Sequence, residues 1–474
     1  MSSRTVDIVA TTLRNQSHGG TETNSRIRGI RDGDLQGLAA LMNKMPLSAL
    51  PERMATAEQF IEFARHLLPW IIGDPAEPLR QPTRSVHLRR DCANPLYAKV
   101  LTGEPRAATR NIVDLVPFGY DLDILEIRLL ENYDVVDVFI VYEAPFTQQG
   151  MPKPLYFAES LVASPNRWRP FLDKILPLFP EPKDLEKERE STLSQRGWDL
   201  ENSMRRMPWK LIANSGHRLA ALVRTLARNP DTLFIQNDGD ELVMAPVLYQ
   251  LRHCVSHASL PWYTPSTSHK FNFEWFQHTY DRGRLGDIWV LDGLLHSPTI
   301  GNYLWAPGPT IHALAPIYAS CEVPRYDLQD TSPELGPGAA VHLSSGAEPV
   351  GVWLKTTGTI ESAGANDAVP SFILQAARDR RVTGAMLGSA VRPMCDDMHS
   401  LAHESQIDEE TRDFLRARRP WTVQANPTRY PFIVPAAQVQ RCRWHAGDRT
   451  VCSWTAASPT SPRHASCEEL LKLV

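Results

Sequence analysis

The chain has 474 residues, 42% of them hydrophobic and 22% charged, with a formal net charge of −4. This is the composition of a globular protein that can bury a sizeable core, as one large domain with extensions or as about two to three smaller ones. The near balance of charge excludes a dominant nucleic-acid or anionic-membrane partner.

Residues 1–35 are polar, with Gly19-Gly20 and many Ser, Thr and Asn, and are expected to be disordered. No signal-peptide core is visible there, and no apolar run is long enough to span a bilayer. Even His66–Gly73 is short and flanked by Arg65 and Asp74, so the expectation is a soluble chain unless an anchor precedes it. Phe60, Phe63, Leu67 and Trp70 recur at steps of three and four, the spacing of a helix that Pro69 would interrupt. Residues 74–110 carry prolines and arginines with little periodicity. Residues 1–110 thus read as an extension that packs partly on a main domain.

Ile112–Phe118 reads as a strand. Asp121–Tyr133 reads as a helix with Leu122, Leu125, Leu129 and Leu130 on one face and acidic residues at its positive end. Val135–Tyr142 reads as a second buried strand. Together they predict a βαβ unit, the building block of a parallel sheet. It lacks both G-x-G-x-x-G and the Walker lysine loop, which disfavours the usual dinucleotide and P-loop sites. Leu211–Arg228 is expected as one long helix leading to the next strand.

That strand, Leu233–Ile235, ends in Asp238-Gly239-Asp240-Glu241, ahead of a helical Ala245–Cys254. Ligands of open α/β sheets bind beyond strand C-termini. Clustered carboxylates there repel one another unless a cation neutralises them, and hard divalent ions prefer oxygen ligands. The cluster reads as a metal–diphosphate site or as a solvated acidic turn. The alternation of strands and helices predicts an α/β fold with a doubly wound, mostly parallel sheet and helices on both faces. No G-x-S-x-G or H-E-x-x-H is present, which disfavours serine hydrolases and zincins.

The seven cysteines, Cys92, Cys254, Cys321, Cys395, Cys442, Cys452 and Cys467, are sparse and odd in number, which argues against a disulfide scaffold. Cys442-x-x-His445 and His464-x-x-Cys467 have zinc-like spacing in a Ser-, Thr- and Pro-rich tail. Unpaired thiols are the first expectation for that tail, ahead of a disulfide or zinc.

The run Val113-Asp114-Leu115-Val116-Pro117-Phe118-Gly119-Tyr120-Asp121-Leu122-Asp123-Ile124-Leu125-Glu126-Ile127-Arg128-Leu129 resembles the opening of glycosyltransferase family 17. The resemblance continues through Asp134–Thr147, Gly150 and Lys153-Pro154-Leu155-Tyr156-Phe157. It includes Trp198, Glu201 and Arg205, and reaches Asp238-Gly239-Asp240-Glu241. Beyond Leu242 it thins to Ala340–Gly346, which contains His342, and Arg429–Pro435. Val243 stands where the family commonly has proline.

This resemblance implies a GT-A-like fold over residues 111–435, followed by a tail over 436–474. It implies a UDP-GlcNAc donor, a mannose-containing glycan or glycoprotein acceptor, inversion at the anomeric carbon, and Mn²⁺ or Mg²⁺ as cofactor. Asp238 and Asp240 would hold the metal, and Asp240 and Glu241 would be catalytic, with Glu274, Asp287 and Asp292 as rival bases. Pro117, Phe118, Glu143, Lys153 and Arg205 would bind the donor. Phe118 stacking on the base competes with a core role. Arg128 and the Glu201–Arg205 pair suit structural ion pairs, and His342 a structural histidine. The family's animal members work in the Golgi lumen behind a membrane anchor; with no anchor visible here, a cytoplasmic location is the other expectation. Two other functions fit a similar acidic site: a glycan-binding relative without turnover, and another metal–phosphate enzyme such as a nucleotidyltransferase.

Overall fold

Along Ile112–Pro117 (β2), side chains alternate between two apolar layers: Ile112 and Val116 enter one, Val113 and Leu115 the other. The same period of two runs through Val138–Tyr142 (β3) and Leu233–Gln236 (β5), so these strands are buried on both faces. That is why they read as continuous hydrophobic runs. The computed structural model describes residues 65, 68, 71–72, 79, 88–195, 199–270, 272–277, 304–305, 308–322, 332–344, 351, 355, 398–400, 408–426, 429–430, 440–441 and 453–454. The expectations for residues 1–35, for the helix around Phe60–Trp70 and for the cysteines of the tail fall outside this set.

The described strands are Leu101–Pro105 (β1), β2, β3, Ile175–Leu178 (β4), β5, Glu241–Val243 (β6), Cys254–Ser256 (β7), Trp262–Tyr263 (β8), Ser266–Lys270 (β9), Asn272–Gln277 (β10), Leu304–Trp305 (β11), Thr310–Ala313 (β12), Ala340–Ser344 (β13) and Met398–Ser400 (β14), besides a short pair at 440–441 and 453–454. The helices that position the site are Leu122–Asn132 (α1), Tyr156–Ala163 (α2), Asp199–Asn214 (α3), Arg218–Leu226 (α4) and Ala245–His253 (α5).

The central sheet has the order β4-β3-β2-β5-β12-β8. Its first four strands are parallel, and β12 and β8 add antiparallel. The predicted βαβ unit is present, with bounds within a few residues of those expected. Helix α1 is buried all round, not on one face. Its leucines pack in the layer containing Ile112, whereas α3 and α4 supply Trp209, Ile212, Leu219 and Val223 to the opposite layer. The fold is therefore α/β, with helices on both faces of this sheet.

Two expectations need correction. Leu211–Arg228 is not one helix. The chain breaks at Ser215-Gly216-His217, where His217 adopts an extended backbone and its Nδ1 accepts from the Leu219 amide at 3.2 Å, starting α4 afresh. Nor is the sheet structure mostly parallel throughout. A second sheet, β14-β10-β9-β13-β6 with β11 on β9, is antiparallel except for β13 on β9. Because β6 begins at Glu241, the acidic turn is the junction between the two sheets.

One cysteine pairing was not visible in the sequence. Cys92 and Cys254 form a disulfide across 162 residues, and β1 pairs with β7 beside it. Gln250 of α5 reinforces the join, donating to the Arg89 carbonyl and accepting from the Asp91 amide. Residues 88–105 are thereby fastened to α5 and β7. Closing so long a loop restricts the unfolded chain, and reduction is expected to lower stability by about 2–4 kcal/mol. Urea denaturation with and without reductant measures it; coincident curves would show that the bridge contributes nothing.

Candidate active site at the acidic turn

The site begins with Asp114, which β2 turns toward α1. Arg128 meets it there with a two-pronged contact, Nη2 to Oδ1 at 2.6 Å and Nε to Oδ2 at 2.8 Å. Both side chains are 1% exposed. The third prong, Arg128 Nη1, donates to the Asp238 carbonyl at 3.1 Å. Asn237 Nδ2 also reaches Asp114, at 3.4 Å. Arg128 is thus the structural ion pair expected of it, and it also ties the acidic turn to the first strand.

Gly239 explains why the turn needs a glycine. A Cβ at this position would lie 2.6 Å from the Pro117 carbonyl oxygen, closer than real Cβ atoms come. The turn lies flat on the end of β2, and Pro117 is part of its floor. Inside the turn, Glu241 Oε2 accepts from the Asp238 amide at 2.9 Å, and the Glu241 amide donates to the Asp238 carbonyl at 3.1 Å. Glu241 is buried, so the geometry gives it a turn-holding contact.

The two outer carboxylates differ. Asp238 is 39% exposed on its side chain and accepts from Arg205 Nη2 at 3.1 Å. Arg205 also pairs with Glu201 one helical turn earlier, as its spacing predicted. Asp240 is buried and meets Lys355 Nζ at 2.5 Å, with His342 Nε2 at 3.6 Å from the same oxygen. Register explains the histidine: His342 of β13 lies opposite Glu241 of β6. Burial would raise the Asp240 carboxyl, but Lys355 and His342 outweigh it and hold it well below the usual carboxylate range.

Asp121 precedes α1 at the same rim, with Lys355 3.9 Å away. Its Oδ1 is buried without a hydrogen-bond partner. Burial lifts its carboxyl to about 6; Lys355 pulls it back, while Asp240 and Asp123 push it up. Asp121 and Lys355 were not picked out by sequence. Asp121 read as an ordinary residue at a helix start, and Lys355, in Trp353-Leu354-Lys355-Thr356-Thr357, carries no motif.

The other candidates are placed as follows. Phe118 is buried in the core, its ring 5.9 Å from that of Phe157, and its amide donates to the Tyr142 carbonyl. Glu143 is fully buried. Its Oε1 accepts from Lys153 Nζ at 2.9 Å and its Oε2 from the Phe157 amide at 3.0 Å, which caps the start of α2. Lys153 lies over the Tyr156 ring and is buried with Glu143. The structure thus brings Glu143 and Lys153 to each other, and Asp238, Asp240, Glu241, Arg205 and Pro117 to the turn. Trp198, Asp287, Asp292 and the side chain of Glu274 lie outside the described residues. The family-like ending reaches the site's support: Arg429 pairs with Glu126 of α1 at 2.5 Å, and Glu126 also meets Arg167.

A family model described as glycosyltransferase family 17 matches residues 82–279. The resemblance to glycosyltransferase family 17 holds over that segment. It carries Asp114, Asp121, Arg128, Glu201, Arg205 and the whole acidic turn; His342 and Lys355 lie beyond it. The chain is similar to the β-1,4-mannosyl-glycoprotein 4-β-N-acetylglucosaminyltransferase of Rattus norvegicus, 30% identical over 149 residues, which are 31% of this chain and 24% of the relative. It is likewise 30% identical to the Homo sapiens enzyme of that name over 149 residues, 31% of this chain and 25% of that one. The match spans about a quarter of the length of these relatives. No solved structure matches the chain.

The close approach at Gly239 has a direct consequence. Gly239→Ala is expected to push the turn off Pro117 and cost about 1–3 kcal/mol, the scale of forced overpacking. Chemical denaturation measures the loss, and an unchanged midpoint would mean that the turn does not depend on this contact.

Proposed function

We propose that this chain is an inverting glycosyltransferase with a GT-A-like fold that transfers GlcNAc from UDP-GlcNAc to a mannose-containing glycan or glycoprotein. One observation carries the reading: the matched segment ends its central strand in Asp238-Gly239-Asp240, held at the C-terminal rim by Arg128 and Pro117. That is where an open α/β sheet binds its ligand. The names of the relatives support the sugar and the acceptor class.

Among the described residues no group of three or more His, Cys, Asp or Glu is arranged to hold a metal. The donor set nevertheless fits a hard divalent ion. Such ions commonly take one or two protein carboxylates and complete their shell with substrate phosphates. Asp240 and Asp238 would hold Mn²⁺ or Mg²⁺, and the buried, unbonded Asp121 Oδ1 is a further oxygen at the same rim. When bound, the ion supplies positive charge against the departing diphosphate.

The chain's own residues have distinct tasks in this reading. Arg205 restrains the more exposed Asp238 from one side. Pro117 and Gly239 bring backbone close enough to the rim for a ribose or base to approach. Glu143 and Lys153 serve the donor side by fixing the start of α2. The acceptor hydroxyl needs a base within hydrogen-bond reach. Glu241 was the first candidate, but its contact with the Asp238 amide supports a turn-holding role better.

Wild-type protein with Mn²⁺ is expected to release UDP from UDP-GlcNAc, and Asp240→Asn to lower that rate by about a hundredfold or more while still folding. A coupled UDP-release assay with thermal melts checks both. Near-normal turnover of Asp240→Asn would remove the acidic turn from the chemistry. Glycan binding without turnover would favour the inactive relative, and consumption of nucleoside triphosphates the nucleotidyltransferase.

A further inference from the structure

Lys355 is the residue of the acidic rim that neither the sequence pattern nor the family match includes. Its ammonium sits 2.5 Å from Asp240 Oδ2 and 3.9 Å from Asp121 Oδ2. The three side chains are not equally deep. Lys355 is 21% exposed, against 9% for Asp240 and 12% for Asp121. The Lys355 side chain is thus the part of this trio that water reaches most, with its ammonium held against the two carboxylates.

An ammonium has three donors. Among the described residues Lys355 spends one hydrogen bond, on Asp240; Asp121 is beyond hydrogen-bond distance. Donor capacity is left beside Asp240. A lysine ammonium is ordinarily charged at neutral pH. A flexible four-carbon stem lets such a point charge follow a ligand without moving the backbone.

The same oxygen that Lys355 contacts belongs to the carboxylate assigned above to the diphosphate-bound ion. If a cation takes that oxygen, like charges repel and the ammonium leaves it. Asp121, 3.9 Å away, and the diphosphate are then the anions within its reach, and only the diphosphate arrives with the ligand. If no cation takes it, the ammonium is still one hydrogen-bond length from whatever Asp240 faces. Both routes bring Lys355 to the phosphates.

We propose that Lys355 is a donor-binding residue whose ammonium contacts the second phosphate of a nucleoside diphosphate sugar. This rests on the glycosyltransferase reading and adds a residue outside the matched segment to its donor site. The competing role is a plain counter-ion that only neutralises Asp240. The two differ in which ligand suffers. A counter-ion supports the site as a whole, so its loss weakens every nucleotide alike. A contact to the second phosphate matters to UDP and not to UMP.

The test is calorimetric titration of the full chain with UDP and with UMP, in Mn²⁺, for wild type, Lys355→Met and Lys355→Arg, beside thermal melts. Lys355→Met is expected to weaken UDP by about tenfold or more, the scale of one charge-assisted hydrogen bond, and UMP by less than about twofold. Lys355→Arg keeps the charge and is expected to retain most of the preference for UDP. Should Lys355→Met not fold, Lys355→Gln, which keeps a donor for Asp240 without the charge, takes its place with the same expectation. Equal losses for UDP and UMP, or no loss for either, would overturn the proposal. A wild-type chain that binds neither nucleotide would overturn the glycosyltransferase reading itself, and this proposal with it.

Discussion

The buried contact of Arg128 with Asp114 is the constraint on which the site depends. Neither charge reaches water, and removing one partner would strand the other in the interior, at a cost of about 3–5 kcal/mol. Two of the guanidinium's prongs are consumed by Asp114, which fixes its plane. That fixed plane aims the third at the Asp238 carbonyl. Strand β2, helix α1 and the acidic turn therefore share one hydrogen-bonded centre. Lysine would keep the charge but lose the fork geometry. The anchorage extends outward through α1, where Glu126 gathers Arg167 and Arg429 and Glu131 accepts from the Thr422 amide. Residues from two distant parts of the chain thus brace the helix that braces the turn.

Around that centre the carboxylates are arranged by opposing cations. Arg205 takes Asp238 on the α3 side of the sheet. Lys355 takes Asp240 on the side of the second sheet, with the His342 ring 3.6 Å from the same oxygen. Adjacent carboxylates can stay ionised this close only if each has its own partner. Asp121 lies farther from Lys355 than Asp240 does, and its carboxyl rises to about 6, chiefly through burial. The result is a graded rim: one strongly acidic group deep in the site, one half-open, and one near the point of taking up a proton.

Much of this was legible in the sequence because it is local. The βαβ unit announces itself by period two, then an apolar helix, then period two again, and Asp238–Glu241 by the abrupt end of an apolar strand. The Glu201–Arg205 pair follows from helical spacing alone. What was missed is long-range. Cys92 and Cys254 are 162 residues apart, with no pattern to join them. The second sheet is built from short polar strands such as Ser266–Lys270, which carry weak hydrophobic periodicity. Lys355 meets Asp240 across 115 residues. Leu211–Arg228 misled because its apolar spacing survives the break at Gly216. Glu143 and Lys153 are the instructive case: the sequence shows two charged residues in a family-like block, and only the fold shows them buried and paired with each other at the start of α2.

The Arg128 fork holds the acidic turn in place. Native-state hydrogen exchange of Arg128→Lys tests it most directly, because the Asp238 and Glu241 amides are both hydrogen-bonded inside the turn. Lysine keeps Asp114 neutralised but cannot reach Asp114 with two prongs and Asp238 with a third. The expected result is a loss of protection at Asp238 and Glu241 of about tenfold or more, with the β2 and β3 amides nearly unchanged, since a hydrogen bond from a charged group is worth about 1.5–3 kcal/mol. Unchanged protection at Asp238 and Glu241 would contradict the account and leave the turn held by Pro117 and its own internal bonds.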